Sequence, residues 1–132
     1  MVQPTIGRIF FINFFLGGVK VHDGFQDTFG RTVDNITSTV SSALQSKNVK
    51  KLTVVGHSLG AAVAVLDAVH LREVLDSSIQ MTTTVFGLPR SGNQDWADFV
   101  DSTVRFFREA IYYSILTHLA PIIAWKHPSS CF

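Results

Sequence analysis

The sequence is poor in the residues that would give quick answers. It has one cysteine in 132 residues, Cys131, so no internal disulfide can form. No Cys/His spacing matches a zinc or other metal site, and no cofactor motif stands out. Charged residues make up only 16%, and 11 Lys+Arg stand against 10 Asp+Glu. That balance removes the electrostatic case for nucleic acid or an acidic membrane surface as partner. No apolar run is long enough to span a bilayer: Ile9 to Leu16 is short, and Ala110 to Trp125 is interrupted by His118 and Pro121. There is no repeat and no low-complexity linker. The length argues for one domain at most.

What is plentiful is apolar surface. Hydrophobic residues reach 46%, a globular composition rather than a disordered one. Phenylalanine is over-represented, at 11 residues, with Phe10, Phe11, Phe14, Phe15 and Phe25 crowded near the start. Arg8, the apolar run after it and Gly17-Gly18 loosely fit a secretory signal. They equally fit a buried strand or loop, and both readings stay open.

From Asp27 to Lys47 the spacing predicts a helix. Phe29, Val33, Ile36, Val40 and Leu44 recur at steps of three and four, with Arg31, Asp34, Ser38 and Ser41 between them. Lys47-Asn48 supplies a stop. Lys51 to Gly56 is a short β-branched run that reads as a buried strand. Leu59 to Leu75 reads as a helix, apolar over much of its circumference and so buried against a sheet. Met81 to Phe86 is a second strand, closed by Gly87 and Pro89. Trp96 to Val100 is a short helix. The alternation predicts an α/β layer with parallel strands flanked by helices.

Gly56-His57-Ser58-Leu59-Gly60 falls between the first strand and the apolar helix. A G-x-S-x-G pentapeptide is weak evidence alone, since average usage yields it by chance in a few per cent of chains this long. Between a strand and a helix it reads as a nucleophile elbow. The turn is sharp, and Gly56 and Gly60 are expected to relieve clashes at its flanks. Ser58 is then held out above the strand end on strained backbone angles. The Leu59 N–H faces the place where a tetrahedral oxyanion forms, aided by the dipole of the following helix. A serine hydroxyl needs a histidine base, and that histidine needs an orienting carboxylate.

Three segments carry a family resemblance: Val21-His22-Asp23-Gly24-Phe25, then Gly56-His57-Ser58-Leu59-Gly60-Ala61-Ala62, then Phe86-Gly87-Leu88-Pro89-Arg90-Ser91-Gly92-Asn93. In this order they resemble the signatures of the fungal class 3 lipases, roughly V-H-x-G-F, G-H-S-L-G-G-A and F-G-x-P-R-x-G-N. The resemblance covers about residues 19–103. It implies a partial α/β-hydrolase fold and hydrolysis of carboxylic esters, mostly acylglycerols, by a chain that in many fungal members is secreted. Ser58 matches the nucleophile and Leu59 the oxyanion-hole residue. No cofactor and no protein partner are implied, and the substrate side is a lipid or other ester, met at a lipid–water interface.

Three departures accompany the match. The family draws a second oxyanion donor, and often a lid, from a segment before V-H-x-G-F. Nothing among the about twenty residues before Val21 resembles it. The family acid lies in a motif like N-x-x-D-x-V-P, whose best local match, Leu116 to Ile122, has no aspartate. Asp95, Asp98 and Asp101 read as surface residues of the short helix. The family histidine comes later still; His127-Pro128-Ser129 looks like a segment that precedes it. His118 and His127 remain candidate bases. His57 reads as a packing residue, His22 as structural, and His70 as a core or boundary residue of the buried helix.

The chain therefore divides into an apolar N-terminal segment (1–20), a lipase-like core (21–103) and an atypical apolar tail (104–132). The expectation is a truncated family member. It is either a serine ester hydrolase of lipid metabolism or, alternatively, an inactive remnant without the triad aspartate and histidine. A lipid-surface binding module is a third reading.

Overall fold

The computed structural model describes residues 18–104 and, for the backbone, 106–108. Helix α1 spans Asp23–Ser46, strand β1 Lys51–His57, helix α2 Leu59–Val74, strand β2 Gln80–Phe86, helix α3 Gln94–Thr103 and strand β3 Phe106–Arg108. The sheet order is β1-β2-β3 and every pairing is parallel. The predicted alternation of helices and parallel strands is what the fold contains.

α1 starts four residues earlier than the periodicity predicts. His22 is its N-cap: the ring Nδ1 accepts the Gly24 N–H at 3.1 Å, satisfying one of the orphan donors of the first turn. Histidine is an uncommon cap, and Gly24 suggests a turn, so the start is hidden in the sequence. Along α1 the expected stripe faces inward. Phe29 and Val33 are buried, and Ile36, Val40 and Leu44 are half-buried. Later in the chain, α3 extends the predicted 96–100 to ten residues because Asn93 caps it, its Oδ1 accepting the Trp96 N–H at 3.1 Å.

α2 packs over β1 and β2, while α1 and α3 pack against α2. This explains its apolar circumference: nine of its residues are buried. Where its first turns meet β1, it presents Ala61 and Ala64. A Cβ placed on Gly56 of β1 would lie 2.6 Å from the Ala61 Cα and 2.7 Å from the Ala64 Cβ. The helix therefore sits on the strand as closely as backbones allow. Gly60 differs from expectation, for an added Cβ there meets nothing within 4 Å among the described residues. It lies in the first turn of α2, directed away from β1, so Gly56 alone relieves the clash.

β1 also differs from expectation. It is not buried but alternates between exposed and half-buried along its length. Among the described residues it lies at the edge of the sheet, with α2 covering one face. Leu52, Val54 and Gly56 share that covered face with their register partners Met81, Thr83 and Val85. Val55, on the other face, is 62% exposed. β3 lies just past residue 103, where the resemblance read from the sequence ends.

Two buried polar atoms lack a hydrogen-bond partner among the described residues: Asp67 Oδ1 in α2 and Thr83 Oγ1 in β2. Burial raises the Asp67 pKa to about 6 from the usual carboxylate value of 3.8. The folded chain thus holds this proton more tightly than the unfolded chain. The resulting stabilisation is complete below about pH 4 and is lost as pH rises through about 6. Asp67→Asn removes the titration. Relative to that variant, the wild-type chain should lose about 1–2 kcal/mol between about pH 4 and 7.5, after allowance for solvent screening of a half-buried carboxylate. Denaturant midpoints of both proteins across this range would check it. A constant difference would show that Asp67 titrates normally. Asp76 shifts the other way, because the Ser78 side chain and N–H hydrogen-bond its carboxylate. It is common to both proteins and cancels in the comparison.

Candidate active site

Ser58 sits between the end of β1 and the start of α2. Its backbone is at φ 53 and ψ −129, a left-handed φ shared by only one other non-glycine residue of the described chain, Asn48. A non-glycine residue held there stores about 1–3 kcal/mol of strain. The strain is held by two hydrogen bonds. The Ser58 N–H donates to the Phe86 carbonyl at the end of β2, at 2.9 Å, and the Ser58 carbonyl accepts the Ala61 N–H at 2.9 Å. The elbow is thus tied both to its own helix and to the neighbouring strand.

Serine is a favoured N-cap because its hydroxyl usually accepts an N–H of the first turn. Ser58 holds the N-cap position of α2 and makes no such bond. Its Oγ is directed elsewhere, on an exposed residue. The Leu59 N–H opens the helix and has no intrahelical acceptor. It stands at the positive end of α2, where a developing oxyanion is stabilised. The Leu59 side chain is 66% exposed beside the serine.

The other two sequence signatures meet at this same end of the sheet. His22 N–H donates to the Ser91 carbonyl at 2.8 Å, and Val21 forms an antiparallel bridge with Gly92. Asn93 closes the junction. Its Oδ1 accepts the Lys20 N–H at 2.9 Å, its N–H donates to the Lys20 carbonyl at 3.0 Å, and its Nδ2 donates to the Gly18 carbonyl. Gly92 must be glycine, since a Cβ would run into the Lys20 carbonyl and the Trp96 ring. The buried Trp96 Nε1–H donates to Ser91 Oγ at 3.0 Å. Phe86, which holds the elbow, begins this second segment, so the three motifs form one connected unit. Sequence spacing gives no sign of this latch, since Lys20 and Asn93 lie 73 positions apart.

The remaining sequence candidates fall into three groups. His22 and His70 are structural. Thr37 donates its hydroxyl to the Val33 carbonyl at 2.7 Å, so His70 Nε2 is the donor in their 3.0 Å contact, and the ring stands edge-on to Phe29. His57 was expected to pack, but it is exposed, because among the described residues no helix covers its face of β1. Asp95 and Asp98 are exposed on α3, with Asp98 accepting from Gln94 at 2.8 Å, and Asp101 is half-buried on the same helix. His118 and His127 lie outside the described residues, as do the apolar segments at 1–17 and 110–125. Among the described residues no group of His, Cys, Asp or Glu could hold a metal ion, and no helix is long and apolar enough to cross a membrane.

A family model described as lipase (class 3) matches residues 6–122. The chain belongs to the class 3 lipases. The match reaches beyond the motif-bearing stretch of about 19–103 at both ends. Among relatives, a secreted mono- and diacylglycerol lipase, LIP1, of Malassezia globosa is 38% identical over 94 residues, covering 71% of this chain and 31% of its own length. Among solved structures, lipase II from Rhizopus niveus superposes with a TM-score of 0.67 at 31% identity, over 79% of this chain and 40% of that one. A triacylglycerol lipase whose catalytic centre is a serine protease triad superposes with a TM-score of 0.65 at 38% identity, over 80% of this chain and 41% of that one. The sheet and helices of this class 3 lipase chain are therefore part of an α/β-hydrolase fold. The chain spans about a third of the length of the curated relatives it matches.

Proposed function

We propose that this class 3 lipase chain hydrolyses carboxylic esters of acylglycerols, with Ser58 as the nucleophile. The carrying observation is the strained, doubly tethered turn at Ser58, whose hydroxyl does not cap its helix. A serine held out on strained backbone angles at a strand-to-helix turn suits acyl transfer. Ser58 Oγ attacks the ester carbonyl while a histidine takes its proton, and the Leu59 N–H stabilises the oxyanion. The alcohol leaves, and water then releases the acyl group from the serine. This chemistry needs no cofactor. His118 and His127 are the candidate bases in this chain. Relatives named as secreted mono- and diacylglycerol lipases support the substrate class and export from the cell. The exposed Leu59 beside the nucleophile suits work at a lipid–water interface.

The direct test is covalent. A fluorophosphonate probe should label the purified chain at one site, read by mass spectrometry on the peptide that contains Ser58. Labelling requires an activated hydroxyl. If Ser58 stays unmodified while a reference serine lipase in the same tube is labelled, the serine is not activated and the proposal fails.

A further inference from the structure

The chain has four asparagines, at positions 13, 35, 48 and 93, and only Asn35 has a hydroxyl residue two positions on. Asn35-Ile36-Thr37 is the N-x-T acceptor pattern for N-linked glycan. The fold treats this asparagine unlike Asn93. Asn93 is consumed by the latch, with both its side-chain atoms and its N–H engaged. Asn35 faces outward from α1, and its side-chain amide makes no hydrogen bond among the described residues. Its contact with Ser38 runs through the backbone carbonyl. Arg31, Thr32, Asp34, Ser38, Thr39 and Ser42, around it on α1, are all exposed as well.

We propose that Asn35 is an N-glycan acceptor of this chain. The proposal rests on the reading that the chain is exported. In the transfer, the Asn35 amide nitrogen attacks the anomeric carbon of a lipid-pyrophosphate-linked oligosaccharide. The N–C bond forms and the C–O bond breaks. The amide loses one proton, and the lipid pyrophosphate departs with the electron pair.

Two features make the fold tolerant of this group. A glycan on Asn35 displaces no side-chain contact. It also stands about 18 Å along the helix from Asp23, at 1.5 Å per residue, and so clears the end of the sheet where Ser58 lies. Thr37 serves twice. Its hydroxyl is needed for acceptor recognition in the unfolded nascent chain, and after folding it bonds Val33 and His70 in the α1–α2 contact.

The test uses the full chain expressed in a yeast, with and without an added secretion leader. Secreted, leader-bearing protein should run as a heavier band that collapses under peptide N-glycosidase, with Asn35 converted to aspartate by the release. Asn35→Gln should abolish the heavier band, and Thr37→Ser, which keeps the hydroxyl, should retain it. An unmodified Asn35 peptide from the secreted leader-bearing protein overturns the proposal. If the chain without a leader stays inside the cell, residues 1–20 do not themselves direct export, and the leader-bearing protein still decides Asn35.

Discussion

Hydrolysis of a short-chain chromogenic ester by this chain should fall steeply when Ser58 is replaced by alanine, to the residual that oxyanion stabilisation and binding sustain alone. The size of the loss depends on what surrounds the serine. Where a full triad operates, removing the nucleophile costs about 10⁶-fold in kcat. Where only oxyanion stabilisation and binding remain, a residual of about 10³–10⁴ over water persists and does not need the hydroxyl. The two cases separate cleanly in a paired measurement of kcat/KM. A large drop in Ser58→Ala shows that a base reaches Ser58 Oγ, and double variants at His118 and His127 would then identify it. Equal rates in the two proteins would remove Ser58 from the chemistry. Folding should not confuse the result. The Ser58 hydroxyl makes no capping bond to lose, and the tethers to Phe86 and Ala61 are made by its backbone.

The second large effect concerns stability. Gly56→Ala should destabilise the fold by about 3 kcal/mol or more, the upper end of what forced overpacking costs. The added methyl would meet the Gly60 carbonyl and the Ala61 Cα, both at 2.6 Å. These are backbone atoms and cannot rotate away, so α2 itself has to move off β1. That movement opens the contact made by Ala61 and Ala64, and it drags the elbow with it. Gly60→Ala is the matched control. It sits in the first turn of α2 with open space around it, so alanine should be neutral or stabilising by up to about 1 kcal/mol. The urea midpoint should fall in Gly56→Ala and hold or rise in Gly60→Ala. Equal destabilisation would mean that the close approach of α2 to β1 is not what fixes Gly56.

Much of this was legible in the sequence, for identifiable reasons. The stripe from Phe29 to Leu44 gave α1 its inward face, because a helix with one buried side must repeat near 3.6 residues. The apolar circumference of α2 announced a helix enclosed by other elements. The strand–elbow–helix order located Ser58. Other features depend on partners that a linear pattern does not name. The run Lys51 to Gly56 looks the same at the edge of a sheet as at its centre, so the exposure of Val55 and His57 was hidden. The roles of Gly56 and Gly60 look identical within the pentapeptide, and only the packing of α2 tells them apart. His22 as a helix cap and Asn93 as a latch use side-chain atoms whose partners are set by the tertiary fold.

The Asn93 latch also bears on the order in which the chain assembles. The β1–α2–β2 unit joins residues about thirty positions apart, whereas Gly18 and Asn93 lie 75 apart. Closing the longer loop costs roughly 0.8 kcal/mol more in chain entropy if it closes alone. It becomes cheap once α1 and the central unit have already docked. Contacts of long sequence separation are slow to form, so the latch is expected to close in the last stage of folding. The elbow can thus take up its strained backbone early, through Phe86 within the central unit, while the rim of the site is fastened only at the end.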